Sequence, residues 1–293
     1  KAFIANDTWA TGAPLSVSVK GNSGAGTQTA GFTAGGLTPG DQESCENYNG
    51  SGWSISGDIN TARGYAGAAG TQTAGLYFGG YTPASANSNL TESYDGSTWT
   101  AENTMTNVRR QYGSAGTASA TLATGGYNVP VNTATTLVEE YNGTSWTAGT
   151  ALPATWGDHG GLGTQTAAIV ISGINPSPTS TTLEYNGTSW TEGGDLAAVF
   201  GDGLGNGGGT QTAGIAAGGS TGTTSTQIYD GTSWTSTTAI PTATYQNGSF
   251  TGGTSSAWGI FGGAHPTAIS TNAFEFNHSL LTYTPASWAT GGT

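Results

Sequence analysis

Basic residues are scarce in this sequence, and their scarcity limits the class of partner. Five Lys and Arg stand against seventeen Asp and Glu among 293 residues, giving a formal net charge of −12 at pH 7. Nucleic acids and anionic membrane surfaces are bound through clustered cations, so we expect neither as a partner. Apolar runs of about 18 residues, the length of a membrane-spanning helix, are also missing, and no membrane insertion is predicted.

Cysteine and histidine are nearly absent too. Cys45 is the only Cys, so the chain cannot form an internal disulfide. The three His residues, His159, His265 and His278, lack the close spacing of a zinc site. The Gly-rich stretches lack the Lys-Ser/Thr ending of a phosphate-binding loop. The sequence therefore predicts no catalytic residue, no metal site and no cofactor.

Carboxylates occur in two small groups. Asp41, Glu43 and Glu46 lie close together, and Glu139 is adjacent to Glu140. Neither group has the alternating Asp spacing and the Gly of a calcium-binding loop. We interpret both groups as solvated surface.

Helix patterns are missing as well, and a repeated β pattern takes their place. The phrase 141–147, Tyr-Asn-Gly-Thr-Ser-Trp-Thr, returns from Tyr185 and, with Asp for Asn, from Tyr229, with altered forms at Tyr48 and Tyr94. Asn-Gly and Asp-Gly suit the two central residues of a type I′ turn, and Thr, Tyr and Trp suit strands. The phrase predicts a tight two-residue hairpin with one aromatic residue on each arm.

A longer unit contains this hairpin. An apolar run, often opened by Thr-Gln-Thr-Ala, ends in a Gly pair and precedes each Tyr by ten to fifteen residues. The second Gly of the pair recurs at intervals of 46, 47, 46 and 44 residues, at positions 80, 126, 173, 219 and 263. A period near 45 with several strands per unit is typical of propeller blades. We expect four strands per unit, with the Thr-Gln-Thr-Ala run as the second strand.

The Gly pairs after apolar strands, with the spaced Tyr and Trp, resemble the kelch repeat over essentially the whole chain. This resemblance implies a β-propeller, and it implies that Arg63 and Arg109, at one repeat offset, are buried structural residues. The two sequence motifs Gly-Thr-Gln-Thr-Ala-Gly and Tyr-Asp/Asn-Gly-Thr-Ser-Trp-Thr together resemble those of kelch-like proteins of marine bacteriophages, including cyanophages. That narrower resemblance implies a virion-associated role.

Counting the repeats predicts an all-β, six-bladed, kelch-like propeller in a single domain, 1–293. The blades are expected at about 16–57, 58–103, 106–150, 153–196, 197–240 and 242–293. The last copy reaches Phe276 with no Trp five residues later, whereas Trp9 lies 44 residues before Trp53. We therefore expect an N-terminal strand, 1–12, to complete the last blade and close the ring. The alternative is a fragment of a longer array, in which Trp9 belongs to a missing blade.

Function is expected on the loops that follow the Gly pairs, because they vary while the scaffold repeats. Tyr81, Tyr127 and His265 begin three of these loops and are the predicted binding residues. The leading hypothesis is a non-enzymatic structural or adhesion module of a virion or extracellular surface. It would bind other structural proteins or a host-surface glycan, with homo-oligomers in an assembly. The alternative is a carbohydrate-active enzyme, a glycosidase or lyase, using Asp158 and Asp202 as its two carboxylates.

Overall fold

The computed structural model describes residues 2–38, 40, 42–84, 86–128, 133–174, 177–200, 207–219, 223–264 and 268–283. Every regular element in these ranges is a β-strand. None of the described residues forms a helix that is long and apolar enough to cross a membrane. The absence of helices agrees with the lack of helical periodicity in the sequence.

The strands are short, apart from the first and the last. In chain order they are β1 (Ala2–Thr11), β2 (Ser23–Thr27), β3 (Ala30–Ala34), β4 (Cys45–Tyr48), β5 (Trp53–Ile55), β6 (Gly67–Thr71), β7 (Ala74–Phe78), β8 (Tyr81–Thr82), β9 (Ala86–Asn87), β10 (Thr91–Tyr94), β11 (Trp99–Glu102), β12 (Arg109–Arg110), β13 (Gly113–Thr117), β14 (Ala120–Thr124), β15 (Tyr127–Asn128), β16 (Thr133–Ala134), β17 (Val138–Tyr141), β18 (Trp146–Ala148), β19 (Gly160–Thr164), β20 (Ala167–Ile171), β21 (Thr182–Tyr185), β22 (Trp190–Glu192), β23 (Gly208–Thr210), β24 (Ala213–Ala217), β25 (Thr226–Tyr229), β26 (Trp234–Ser236), β27 (Gly248–Ser249), β28 (Ala257–Phe261) and β29 (Ala273–Tyr283).

These strands form six four-stranded antiparallel sheets, which we number in chain order. In strand order they are sheet 1 (β2-β3-β4-β5), sheet 2 (β6-β7-β10-β11), sheet 3 (β13-β14-β17-β18), sheet 4 (β19-β20-β21-β22), sheet 5 (β23-β24-β25-β26) and sheet 6 (β27-β28-β29-β1). The loops add a two-stranded sheet, β8-β9, and a three-stranded sheet, β12-β15-β16. The fold is thus all-β and repetitive, as predicted.

Each Tyr of the repeated phrase pairs directly with its Trp across the two outer strands. Tyr141 lies opposite Trp146, for example, and the same pairing recurs in the other sheets from 1 to 5. Sheet 6 has the equivalent pair in Trp9 and Phe276, although the two residues come from opposite ends of the chain. The six ring pairs have centroid distances of 4.6–5.2 Å. Strand β1 therefore fills the Trp-strand position of sheet 6.

The prediction of a two-residue type I′ turn in the phrase is wrong. In the third copy only Gly143 has a positive φ, 89°, whereas a type I′ turn needs two consecutive residues with positive φ. The Asn142 side chain forms the turn instead, because its Oδ1 accepts hydrogen bonds from the N–H groups of Thr144 at 3.0 Å and Ser145 at 2.9 Å. Asn and Asp serve equally well here, since both supply that oxygen.

The Thr-Gln-Thr segment is a turn between the first two strands of a sheet, and not part of the second strand as predicted. Its Gln reaches the preceding sheet: Gln72 Nε2 donates to the carbonyl oxygens of Gly31 at 3.2 Å and Tyr48 at 2.8 Å. Gln28, Gln165 and Gln211 make the equivalent pair of bonds. These side chains, which we call Gln clips, connect consecutive sheets.

The hydrophobic core lies between neighbouring sheets. One cluster of buried side chains joins sheets 1 and 2, and others join sheets 2 and 3, 3 and 4, and 4 and 5. A further cluster contains residues of sheets 5, 6 and 1, among them Ile215, Trp258 and Tyr48. Sheet 6 therefore packs against the last preceding sheet and also against the first.

Two buried ion pairs correct the interpretation of the carboxylates. Arg109 donates to Glu139 at 3.0 Å and to three backbone carbonyls, and both side chains are buried. Arg63 forms the same pair with Glu92, so the prediction of structural Arg residues is confirmed. Glu139 and Glu46 are buried, and the prediction of solvated surface is wrong for both. Glu46 accepts backbone N–H groups of residues 16 and 17.

Strand β1 pairs with β29 over its whole length, from Ala2 opposite Tyr283 to Thr11 opposite Phe274. The Trp9 indole donates to Thr226 Oγ1 at 3.1 Å in sheet 5, and the Tyr48 hydroxyl of sheet 1 donates to the Glu275 carboxylate of sheet 6. The first and last described strands thus lie side by side in one sheet, which has hydrogen bonds to sheets on both sides.

Candidate functional site

The inner ends of five sheets carry equivalent residues, which we call the arc residues: Gly21, Tyr65, Gln111, Asp158 and Gln246. Each lies two positions before the first residue of the innermost strand of its sheet, and each has a φ between 49° and 62°. Their backbones form a continuous series of hydrogen bonds. Four N–H groups donate to the carbonyl oxygen of the arc residue in the neighbouring sheet. Gly21 donates to Gln246 and Tyr65 to Gly21, both at 2.7 Å, and Gln111 donates to Tyr65 and Asp158 to Gln111, both at 3.0 Å. The arc therefore surrounds one central point.

Four of these residues hold a conformation that suits glycine. A left-handed φ brings the Cβ of an ordinary residue close to the following carbonyl oxygen and costs about 1–2 kcal/mol. Gly21 avoids this cost in sheet 1, and Gly is abundant, with 51 in the whole chain. The other four arc residues nevertheless keep their side chains. Strained backbone of this kind clusters at functional sites. The four side chains are therefore the first candidates for ligand contact.

The arc residues line a cavity, here called the central cavity, of about 60 Å³. This volume has room for about four to six water molecules. The Tyr65 hydroxyl donates to Gln246 Oε1 at 3.1 Å, and the Gln111 amide donates to the Asp158 carboxylate. Gly21 makes the first contact possible, because a Cβ there would lie 2.8 Å from the Tyr65 ring. Burial, followed by the nearby Asp158, raises the pKa of Tyr65 to about 12, so the hydroxyl stays protonated.

Three buried side chains, each of which directly follows an arc residue in the sequence, carry polar atoms without a partner among the described residues. Asn22 and Asn247 leave their Oδ1 atoms unbonded, and His159 leaves Nδ1 unbonded. All three residues line the central cavity. His159 Nε2 accepts the Gly113 N–H at 3.0 Å, so its proton is on Nδ1. Burial lowers the pKa of His159 to about 3, and the ring is neutral.

Known proteins resemble the chain in structure only. No protein-family model matches it, and no curated protein matches it. Among 234 matching chains of solved structures is YjhT, with a TM-score of 0.73 and 12% identity, covering 92% of this chain and 99% of YjhT. Such low identity shows the fold alone. The fold is a kelch-type β-propeller.

In a propeller, four-stranded sheets surround a central axis, and the central cavity lies at the inner ends of these sheets. The variable loops are at the same end. The residue before each arc residue pairs with the first residue of a loop, as Gly64 does with Tyr81 and Gly157 with Ile174. We call this end of the propeller the loop face. A ligand in the central cavity would be surrounded by loops.

Two of the three predicted binding residues can be placed on the loop face. Tyr81 and Tyr127 are half-buried, and Arg110 connects them: its guanidinium lies 4.5 Å from the Tyr81 ring centroid, and its backbone pairs with Tyr127. The Tyr127 ring packs on Gly157, next to Asp158 in sequence. His265 lies outside the described residues. The binding roles of all three stay predictions.

The sequence reasoning missed most of the arc. Asp158 was singled out only as a carboxylate of the enzyme alternative, and its proposed partner Asp202 lies outside the described residues. The other described residues lining the central cavity include no second carboxylate. One feature of the sequence could have identified Tyr65, Gln111 and Gln246. When the repeats are aligned, these three large and different residues share one position, two residues before a Gly-rich strand. No group of three or more His, Cys, Asp or Glu in the described part could hold a metal ion.

Proposed function

We propose that this propeller is a non-enzymatic binding module whose ligand enters the loop face and contacts the arc residues. The observation that carries the proposal is the retention of Tyr65, Gln111, Asp158 and Gln246 at left-handed backbone positions around one cavity. Glycine would be less strained at each position. Retaining four strained side chains is easier to understand if they make contacts outside the chain.

The proposal about the scaffold adds the number of blades and the closure of the ring to the kelch-type fold. We infer that the six sheets are six blades of one ring, with the boundaries expected from the sequence, and that β1 closes it. The pairing of β1 with β29 supports closure, as does the hydrogen bond from Gly21 of sheet 1 to Gln246 of sheet 6. A closed ring would hold the arc residues at fixed distances, which reduces the ordering cost of binding.

A glycan is the ligand class that these groups favour. The described residues that line the central cavity offer amides, hydroxyls and one carboxylate, and they include Tyr65. The rival is a carbohydrate-active enzyme, and hydrolysis by the common mechanism needs two carboxylates across the bond. Only Asp158 supplies one among the described lining residues, so binding without cleavage is the better-supported proposal.

The proposed setting is a virion or another extracellular surface, with structural proteins or a host glycan as partners. Its support is the resemblance of the repeated phrases to marine phage proteins, together with the low content of charged residues, 8%. Few charge pairs would be exposed to screening by seawater salt. Immunogold imaging of particles and cells that carry the gene would place the protein on one of them. Labelling confined to the cell interior would contradict this setting.

The binding proposal is tested on an array of immobilised neutral and acidic glycans. We expect binding to a restricted set of glycans, with each bound glycan recovered intact by mass spectrometry after long incubation. The variant Gln246→Ala should lose binding, while a folded control with Ala118→Met, on the opposite end of sheet 3, should keep it. Release of shortened glycans would favour the enzyme, and no binding to any glycan would favour a protein partner.

A further inference from the structure

Two side-chain hydrogen bonds recur where consecutive sheets meet, and the junction between sheets 2 and 3 lacks both. The first is the Gln clip, which connects sheets 6 and 1, 1 and 2, 3 and 4, and 4 and 5. Sheet 3 has Ala118 at the clip position, so no Gln amide reaches the equivalent carbonyls of Gly75 and Tyr94. The junction of sheets 5 and 6 has no clip among the described residues either, but there Asp7 accepts a hydrogen bond from Thr237.

The second recurring bond is made by the Tyr hydroxyl of the repeated phrase. In four sheets it donates to the residue before the equivalent aromatic residue of the previous sheet: Tyr48 to Glu275, Tyr94 to Asn47, Tyr185 to Glu140 and Tyr229 to Glu184. The equivalent acceptor for Tyr141 of sheet 3 would be Ser93, which instead donates to Glu102 Oε1 at 2.7 Å. The Tyr141 hydroxyl has no hydrogen-bond partner among the described residues, and it keeps some accessible surface.

A groove lies where these two bonds are missing. It has a volume of about 270 Å³, more than four times that of the central cavity, and it lies between sheets 2 and 3 on the end of the propeller opposite the loop face. We call it the clip groove. Residues of both sheets line it, among them Leu76, Ser93, Glu102, Ala118 and Tyr141. The empty clip position and the unbonded hydroxyl thus face one open space.

We propose that the clip groove binds an arginine side chain of a protein partner. The guanidinium would lie at Glu102 and Tyr141, and the aliphatic stem would lie along Leu76 and Ala118. This site is separate from the central cavity, so the inference goes beyond the proposed function and does not depend on a glycan ligand.

The polar groups of the groove call for a ligand rich in donors. Among the described residues no Lys, Arg or His forms an ion pair with Glu102, which is half-buried and is held by Ser93 through one oxygen. Burial, followed by the nearby Glu102, raises the pKa of Tyr141, so the hydroxyl stays protonated. A guanidinium carries five donors and no acceptor. It can therefore donate to the free carboxylate oxygen and to the hydroxyl oxygen at once.

Shape and charge favour arginine over other donors. The rest of the lining is mostly small or apolar, as at Leu76 and Ala118, and a long side chain can lay its CH₂ groups on such a surface while its head stays polar. Arginine holds its donors in a planar fork, which serves two separate acceptors better than the compact ammonium of lysine. The net charge of −12 also attracts a cationic partner over a longer range.

The test is an NMR titration of the ¹⁵N-labelled chain with the peptide acetyl-Gly-Arg-Gly-amide. Amide signals of Ala118 and Ser119 should shift and saturate in the millimolar range. The citrulline peptide has the same shape without the charge, and it should bind at least about fivefold more weakly, the upper range for a partly exposed ion pair. Glu102→Gln should weaken the arginine peptide by a similar factor. Ala118→Gln, which fills the groove with a clip, should lose binding.

Glu192→Gln is the matched control for Glu102→Gln. Glu192 is an exposed carboxylate on the outer strand of sheet 4, at a junction that has its clip, so the substitution removes the same charge. It should leave the affinity unchanged. Equal losses in the two variants would show non-specific attraction to an acidic chain and would overturn the inference, as would equal binding of the arginine and citrulline peptides. Tighter binding of the lysine peptide would overturn the choice of arginine.

The glycan assay keeps this inference distinct from the proposed function. Ala118→Gln should still bind any glycan that the wild-type chain binds on the array, since the central cavity lies at the other end of the sheets. A wild-type chain that binds the arginine peptide and no glycan would contradict the proposed function alone. A chain that binds a glycan but gives no saturable shift with the arginine peptide would overturn the clip-groove site alone.

Discussion

The Gln clips make a quantitative prediction about how consecutive sheets are held together. Gln72 Nε2 donates two hydrogen bonds to carbonyls of sheet 1, at 3.2 and 2.8 Å. Gln72→Met has nearly the same length and cannot donate. Each intramolecular hydrogen bond contributes about 1 kcal/mol net, and the two carbonyls are only partly buried, so water replaces part of the loss. We expect the free energy of unfolding to fall by about 1–2 kcal/mol.

The repeat supplies its own control, because the third copy has Ala118 in place of the clip Gln. Ala118→Met introduces the same side chain at a turn that has no clip, and it should change stability by less than about 0.5 kcal/mol. Ala118→Gln should instead create a clip to the carbonyls of Gly75 and Tyr94, the equivalent acceptors in sheet 2, and add about 1 kcal/mol. Urea unfolding followed by Trp fluorescence measures all three variants. Equal midpoints for Gln72→Met and the wild-type chain would refute the role of the clips.

Three further predictions concern burial, protonation and the N-terminal strand. Glu139→Gln leaves the buried Arg109 charge without its counterion and should cost about 3–5 kcal/mol in urea unfolding, whereas Glu140→Gln, on the same strand but only partly buried, should cost less than about 1 kcal/mol. Burial lowers the pKa of His159 to about 3 in the folded chain, against about 6.5 in the unfolded chain. Between these two pH values only the unfolded chain binds the proton, so the free energy of unfolding should fall by about 1.4 kcal/mol for each unit of pH decrease. His159→Asn, which introduces the residue found at the equivalent positions 22 and 247, should remove this pH dependence from melting temperatures measured across the same range. Trp9→Ala should lower the free energy of unfolding, measured in urea, by about 2–3 kcal/mol, because the half-buried indole contacts Phe276 of sheet 6 and donates hydrogen bonds towards sheet 5. Thr8→Ala, at an exposed position on the same strand, is the control. An effect of Trp9→Ala no larger than that of Thr8→Ala would contradict the role of Trp9 in sheet 6.

The sequence predicts the repeated parts of this fold well, since the same physical constraint recurs in every copy. The pairing of Tyr141 with Trp146 could be read from their fixed spacing, and Trp9 could be matched to the last copy of the repeat, in which no Trp follows five residues after Phe276. The repeated Gln of the Thr-Gln-Thr turn was also visible, but hydrogen bonds to a neighbouring sheet cannot be inferred from composition. Its clip role therefore went unpredicted.

The central cavity could not be predicted, because its residues differ from copy to copy. Tyr65, Gln111, Asp158 and Gln246 share a backbone conformation, and no shared residue type marks it. Long-range pairing was equally hidden. The counterion of Glu139 lies thirty residues earlier in the chain, so burial of that carboxylate depends on register between strands and loops, which local patterns do not specify.

The central claim is that strained side chains of the arc are retained for ligand binding, and Gln246→Gly tests it most directly. Removing the left-handed strain gains about 1–2 kcal/mol, while the flexibility of glycine in the unfolded chain costs about 0.5–1 kcal/mol and the lost Tyr65 bond costs about 1 kcal/mol. The free energy of unfolding should therefore change by less than about 1 kcal/mol. Affinity for a glycan that the wild-type chain binds on the array should fall at least about tenfold in the same sample. A clear loss of stability with unchanged glycan binding would contradict the claim.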